Sequence, residues 1–179
     1  DLAFSLLEQG RRRQALALCE EGLQRYVDAQ GRPLPVTCLL DIPLTTVYYH
    51  SNELDQAHRC AVRGLEMAQQ VLSANILGGD GQRFLALIQF ARGQTDAALA
   101  TLHTAQAGAQ QVHYRRSARV LAATLAHLHL RLGDLAAVCP WSSAQAFRPD
   151  QNPAAGEEFE YCVYAHWLRA EGRAADSLR

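Results

Sequence analysis

Gly10-Arg-Arg-Arg-Gln-Ala15, Asn52-Glu-Leu-Asp-Gln-Ala57, Gly93-Gln-Thr-Asp-Ala-Ala98, Gly133-Asp-Leu-Ala-Ala-Val138 and Gly172-Arg-Ala-Ala-Asp-Ser177 lie on one another, with gaps of 42, 41, 40 and 39 residues between their first members. Self-similarity at a period in this range is the signature of a repeat array. Seven residues before each stretch stands a smaller residue (Ala3, Thr45, Ala86, Ala126, Ala165), preceded by a larger apolar one (Leu2, Leu44, Leu85, Leu125, Tyr164). A second small position follows at Ala15, Ala57, Ala98, Val138 and Ser177, and a third at Gly22, Gly64 and Ala105. Helix axes approach to about 8–10 Å only where side chains are small, and bulky neighbours fill the grooves beside them. Each unit therefore reads as helix, tight turn, helix.

The turn chemistry agrees. Gly and Asn are the residues that accept the left-handed conformation closing a helix, and Asp55, Asp96 and Asp134 stand where the next helix begins with free N–H groups. The spacing predicts about nine helices, centred near residues 4, 20, 43, 63, 85, 103, 122, 140 and 163, with no sheet. Two prolines perturb the pattern. Pro43 is expected to kink the third helix or mark its start, and Pro140 to kink or shorten the eighth. Gln145 breaks the small-residue rule in the fourth repeat.

The small-large-turn-small pattern resembles the tetratricopeptide repeat over the whole chain, with a period near 40 in place of 34. More narrowly, five groups of residues together resemble the superhelical sensor region of MalT-type, LuxR-family ATP-dependent transcriptional regulators. They are Gly31-Arg-Pro-Leu-Pro35, Tyr49-His-Ser-Asn-Glu-Leu-Asp-Gln-Ala57, Gly64-Leu-Glu66, Gly133-Asp-Leu135 with Trp141, and Ala165 with Glu171-Gly-Arg173. Where those proteins more often have Tyr-Glu-Trp-Asn at the turn, His50 and Ser51 replace the middle pair. The resemblance implies an all-α, right-handed solenoid of about five repeats, residues 1–179 forming one domain. It also implies a place between an upstream nucleotide-binding module and a downstream helix-turn-helix module. Both ends, which open and close inside helices, are expected to be cut from a longer chain.

Composition bounds the chemistry. The 49% hydrophobic content supports a continuous core, and a net charge of −1 gives no general pull toward nucleic acid, so no direct nucleic-acid contact is expected. Gly78-Gly-Asp-Gly81 is not a phosphate loop, because such a loop needs a lysine and this chain has none; it reads as a connection in which Asp80 caps the next helix. The runs Arg11-Arg-Arg13 and Arg115-Arg-Ser-Ala-Arg119 read first as solvated helix faces, with an acid- or phosphate-binding patch as the alternative. Five cysteines without CxxC spacing, three of them among apolar positions, fit buried thiols in a reducing cytoplasm. His127 and His129 point to different helix faces and lack a third ligand, so no metal and no cofactor is expected. No membrane span is expected either.

Function is then expected on a surface. The small-residue register assigns Thr46, Tyr49, His50, Arg83, Leu87, Phe90, His127, Leu130, Arg131, His166 and Arg169 to the inner face of the array. Among these, Tyr49, His50, Arg83, Phe90, His127, Arg131, His166 and Arg169 are the candidate recognition residues, able to stack and to donate hydrogen bonds. The expected role is a cytoplasmic sensor arm binding a small-molecule effector or a protein partner without catalysis. A free-standing repeat scaffold is the alternative, and an enzyme is the least favoured class because no nucleophile with its base is evident.

Overall fold

The computed structural model describes residues 2–70, 74–111, 115–144 and 156–173, without the side chains of Glu8 and residues 74–78. Nine α-helices account for most of them: α1 (Leu2–Glu8), α2 (Arg12–Arg25), α3 (Cys38–His50), α4 (Leu54–Ala68), α5 (Ala74–Ala91), α6 (Thr95–Gln111), α7 (Arg115–Leu132), α8 (Leu135–Ala144) and α9 (Glu158–Ala170). Among the described residues there is no strand beyond an isolated antiparallel bridge between Val27 and Pro33. Their centres fall close to those expected from the spacing.

All five aligned turn residues adopt positive φ: Gly10 (73°), Asn52 (60°), Gly93 (77°), Gly133 (76°) and Gly172 (77°). Each closes its helix with the same pair of bonds. The amide of the turn residue donates three residues back (Gly93 to Phe90 carbonyl, 2.9 Å), and the next amide donates five residues back (Gln94 to Gln89 carbonyl, 2.9 Å). This double bond pattern satisfies carbonyls that a helix end otherwise leaves unpaired, and it requires the left-handed residue at the aligned position. The repeat seen in sequence is thus a repeat of backbone geometry. Of the expected caps, Asp134 accepts from the Ala137 amide (3.1 Å). Asp55, in the first turn of α4, instead pairs with Arg92.

The chain divides into two compact units, residues 1–113 and 114–179. In the first, α2 packs on α3 and α4 on α5, while α1 meets α3 and α3 meets α5, so the first helices of successive pairs form a layer of their own. The small-residue register lies at the contacts: Ala57, Ala86 and Ala98 are 0% exposed. Gly64 permits an even closer approach, since a Cβ there would lie 2.9 Å from the Cβ of Asp41 on α3. In the second unit α7 contacts both α8 and α9, which touch each other, around Ala126, Val138 and Val163. Half-buried Leu130, Trp141, Phe159 and Trp167 close that core.

Three expectations change. Gly79, Asp80 and Gly81 are not a connection but part of α5, where Gly81 is buried and a Cβ would come within 2.9 Å of Leu65. Gly81 serves close helix packing and not a connection. Pro43 does not mark a helix start: α3 begins five residues earlier, after a 3-10 turn at Pro35–Thr37, and carries Pro43 in its interior. Leu87 and Leu130 face their cores, not a binding surface; Leu87 is buried and Leu130 packs against the Ala126 cluster. Pro140 lies inside α8, which is described as far as Ala144. Gln145 and Ser177 lie outside the described residues.

Candidate recognition surface

In the first unit the candidate residues converge on one that the register did not assign to the face. The ring of Phe84 in α5 stands edge-on to Tyr49 (5.8 Å between centroids) and to His50 (6.3 Å), which are themselves 5.5 Å apart at the end of α3. The Arg83 guanidinium carbon lies 5.1 Å from the Phe84 centroid. Phe84 is buried, so the cluster has a fixed floor, while Tyr49 and Arg83 are half-buried and His50 is exposed at its rim. Tyr49 also packs against the core formed by Ala57, Ala61 and Ile88. Edge-to-face rings and a cation near an aromatic ring each contribute roughly 0.5–1.5 kcal/mol. The group is therefore rigid without being closed over.

Electrostatics define its hydrogen-bonding state. Burial first, then the positive charges of Arg83 and Arg12, hold the His50 imidazole below its ordinary value. At neutral pH His50 is thus a neutral ring offering one donor and one acceptor beside the Arg83 cation. A ligand with hydroxyl, carboxylate or amide groups and one flat apolar face matches that array. Phe90 lies seven residues beyond Arg83 on α5 and is half-buried.

In the second unit His127 is half-buried and stacks edge-on to Phe159 at 6.3 Å. Arg131, His166 and Arg169 are exposed. Trp167 is the aromatic that sequence reasoning missed here, with Tyr164 at 5.4 Å and the Arg173 guanidinium 5.9 Å from its centroid. His129 is half-buried, with Nδ1 3.2 Å from Asp134 Oδ2 across the turn. Arg119 is no merely solvated charge either. It bridges α7 to the start of α9 through Glu157 (2.9 Å) and Glu160 (3.1 Å), the latter 2% exposed.

Three of the five cysteines are structural, whereas Cys139 and Cys162 are exposed. Burial above all pushes the thiols of Cys19 and Cys60 up to about 11, which keeps them protonated and poorly nucleophilic at neutral pH. Cys38 is buried as well. Among the described residues no group of three or more His, Cys, Asp or Glu side chains is placed to hold a metal ion. No described helix is long and apolar enough to cross a membrane.

Comparison with the curated proteins finds no match. The family profile described as the MalT-like TPR region matches residues 2–179. That span takes in all five turns with their left-handed residues and the small-residue helix contacts between them, and the chain belongs to the MalT-like TPR family.

Proposed function

We propose that this segment is the sensing arm of a LuxR-family, MalT-like transcriptional regulator in the cytoplasm, and that it binds an effector or protein partner without chemically altering it. The observation that carries this reading is the Tyr49–His50–Phe84–Arg83 cluster. It combines an aromatic floor, a neutral imidazole and a guanidinium within the span of one ligand. Aromatic and arginine side chains of this kind anchor binding surfaces. Family membership supports a regulator-associated role. Binding regulates only when the effector has different affinities for two states of the whole protein, so the arm's contribution is a bias on that equilibrium.

The test is calorimetric titration of a panel of small-molecule and peptide effectors against the wild type and Arg83→Ala, with melting curves in parallel. Loss of a charged hydrogen bond weakens binding by about 1.5–3 kcal/mol, roughly ten- to a hundredfold. Arg83 is half-buried at the rim, so the melting temperature is expected to stay close to that of the wild type. A ligand that binds Arg83→Ala as tightly as the wild type counts against this surface.

A further inference from the structure

The triple arginine run at the first turn lines a cleft, and its charges stand against the local electrostatics. Within the first unit, a cavity of about 710 Å³ opens between the turn after α1 and the turn after α3. Arg11, Arg12, Arg13, Tyr48, Ser51 and Glu53 are among its walls. The volume lies in the range of small-molecule sites, about 300–1,000 Å³. Arg12 and Arg13 are the first two residues of α2, and Arg11 precedes them with no side-chain cap on the helix. The first amides of a helix lack the acceptor four residues back, although that of Gln14 here donates to the Arg11 carbonyl (3.1 Å), and the positive end of the helix dipole favours acids there. The second and third repeats follow that preference. Asp55 and Asp96 occupy the position that Arg13 holds in the first repeat.

None of the three arginines is paired with a carboxylate among the described residues. The Arg12 guanidinium donates to the Val47 carbonyl (3.2 Å) and that of Arg11 to the Gln9 side-chain oxygen (3.3 Å), contacts that position them without neutralising them. Glu53 is the one carboxylate among the described wall residues, and its Oε2 accepts from Gln56 (3.1 Å). Cations concentrated at a helix start, in a cleft and without counter-charge among the described residues break a local rule that the second and third repeats obey. Such violations mark functional positions.

We propose that this cleft is an anion site for a small molecule bearing a phosphoryl group or several carboxylates, held by the guanidinium forks of Arg11, Arg12 and Arg13 and by the first-turn amides of α2. Planar guanidinium donors match both oxyanion geometries, and helix N-termini bind both. Its lining residues are not those of the aromatic cluster, although the Arg12 charge acts on His50, and its existence does not depend on the sensor reading.

The experiment titrates the whole chain with inorganic pyrophosphate and, in a second arm, with citrate, by calorimetry at matched ionic strength. Saturable binding of at least one probe is expected, with at least about a tenfold loss in Arg13→Gln. Arg25→Gln removes an exposed charge paired with Glu21 on the same helix and is expected to leave affinity unchanged. Arg13→Asp, which copies Asp55 and Asp96, is expected to abolish binding while raising the melting temperature of the unliganded chain. Pyrophosphate binding alone assigns the site to phosphoryl groups, and citrate binding alone to carboxylates. No saturable heat with either probe up to about 10 mM, or equal losses in Arg13→Gln and Arg25→Gln, overturns the proposal.

Discussion

One substitution, glycine to alanine, has three different expected outcomes at three helical positions of this chain, and the differences follow from what the added methyl would touch. In a helix interior Ala is favoured over Gly by about 0.8–1.0 kcal/mol. At Gly108 in α6 a Cβ meets nothing within 4 Å, so Gly108→Ala should realise that gain in full. At Gly22 in α2 the Cβ would lie 2.6 Å from Leu40 Cδ1, the free end of a side chain that can rotate away. Relief there costs about as much as the propensity gain, and Gly22→Ala should be close to neutral. At Gly64 in α4 the obstacle is the Cβ of Asp41, 2.9 Å away, with Ile42 Cγ1 at 3.5 Å. A Cβ cannot rotate aside, so α3 and α4 must separate. Overpacking of this kind costs about 1–3 kcal/mol, and Gly64→Ala should be destabilised by up to about 2 kcal/mol after the propensity gain. Urea unfolding of the three variants at one pH reads the order directly. Equal stabilisation of Gly64→Ala and Gly108→Ala would show that α3 and α4 are not packed through Gly64, and would refute the register.

Two further predictions rest on the same packing. Ala86→Leu and Ala98→Leu, at positions with no exposure, should each cost about 1–3 kcal/mol in denaturant unfolding, whereas Ala107→Leu on the exposed side of α6 should change stability by less than about 0.5 kcal/mol. Asp41 is fully buried with one oxygen bonded to Arg63 and Oδ2 without a partner, and burial outweighs the arginine to raise its pKa. The folded state therefore holds this proton more tightly than the unfolded chain does. The contribution is present below the unfolded value of 3.8 and lost as pH rises through the folded one, so Asp41→Asn should remove that pH dependence from the unfolding free energy.

The architecture was legible because two independent signals coincide in this chain. The residues that must adopt positive φ recur at the same interval as the residues that must be small, and both requirements come from the backbone. Positions read only from local composition fared worse. Gly78-Gly-Asp-Gly81 reads as a flexible connection by glycine content, yet Gly81 lies in α5 and approaches Leu65, a long-range contact that no local window contains. Pro43 is expected either to kink α3 or to mark its start; it does not mark the start, and the packing of α3 against α2, α4 and α5 tolerates one missing bond in its interior. On the candidate surface, periodicity places Tyr49, His50 and Arg83 near one another and the structure does bring them together. It misses Phe84, one residue past Arg83, because a buried aromatic counts as core in any periodicity argument even when its ring edge forms the floor of a cluster. It misplaces Leu87 for the complementary reason: a residue four beyond Arg83 shares its helix side, but α5 is covered there.

Recognition at the Phe84-centred cluster is tested by mapping a bound effector through chemical-shift perturbation. With an effector that calorimetry identifies other than the anion probes pyrophosphate and citrate, the largest changes are expected on the rings of Tyr49, His50 and Phe84 and on the Arg83 guanidinium, and Arg83→Ala is expected to reduce them at equal ligand concentration. Changes confined to the exposed side of α6 around Ala107 and Gln110, with the Phe84, Tyr49 and His50 resonances unmoved at saturation, would contradict it.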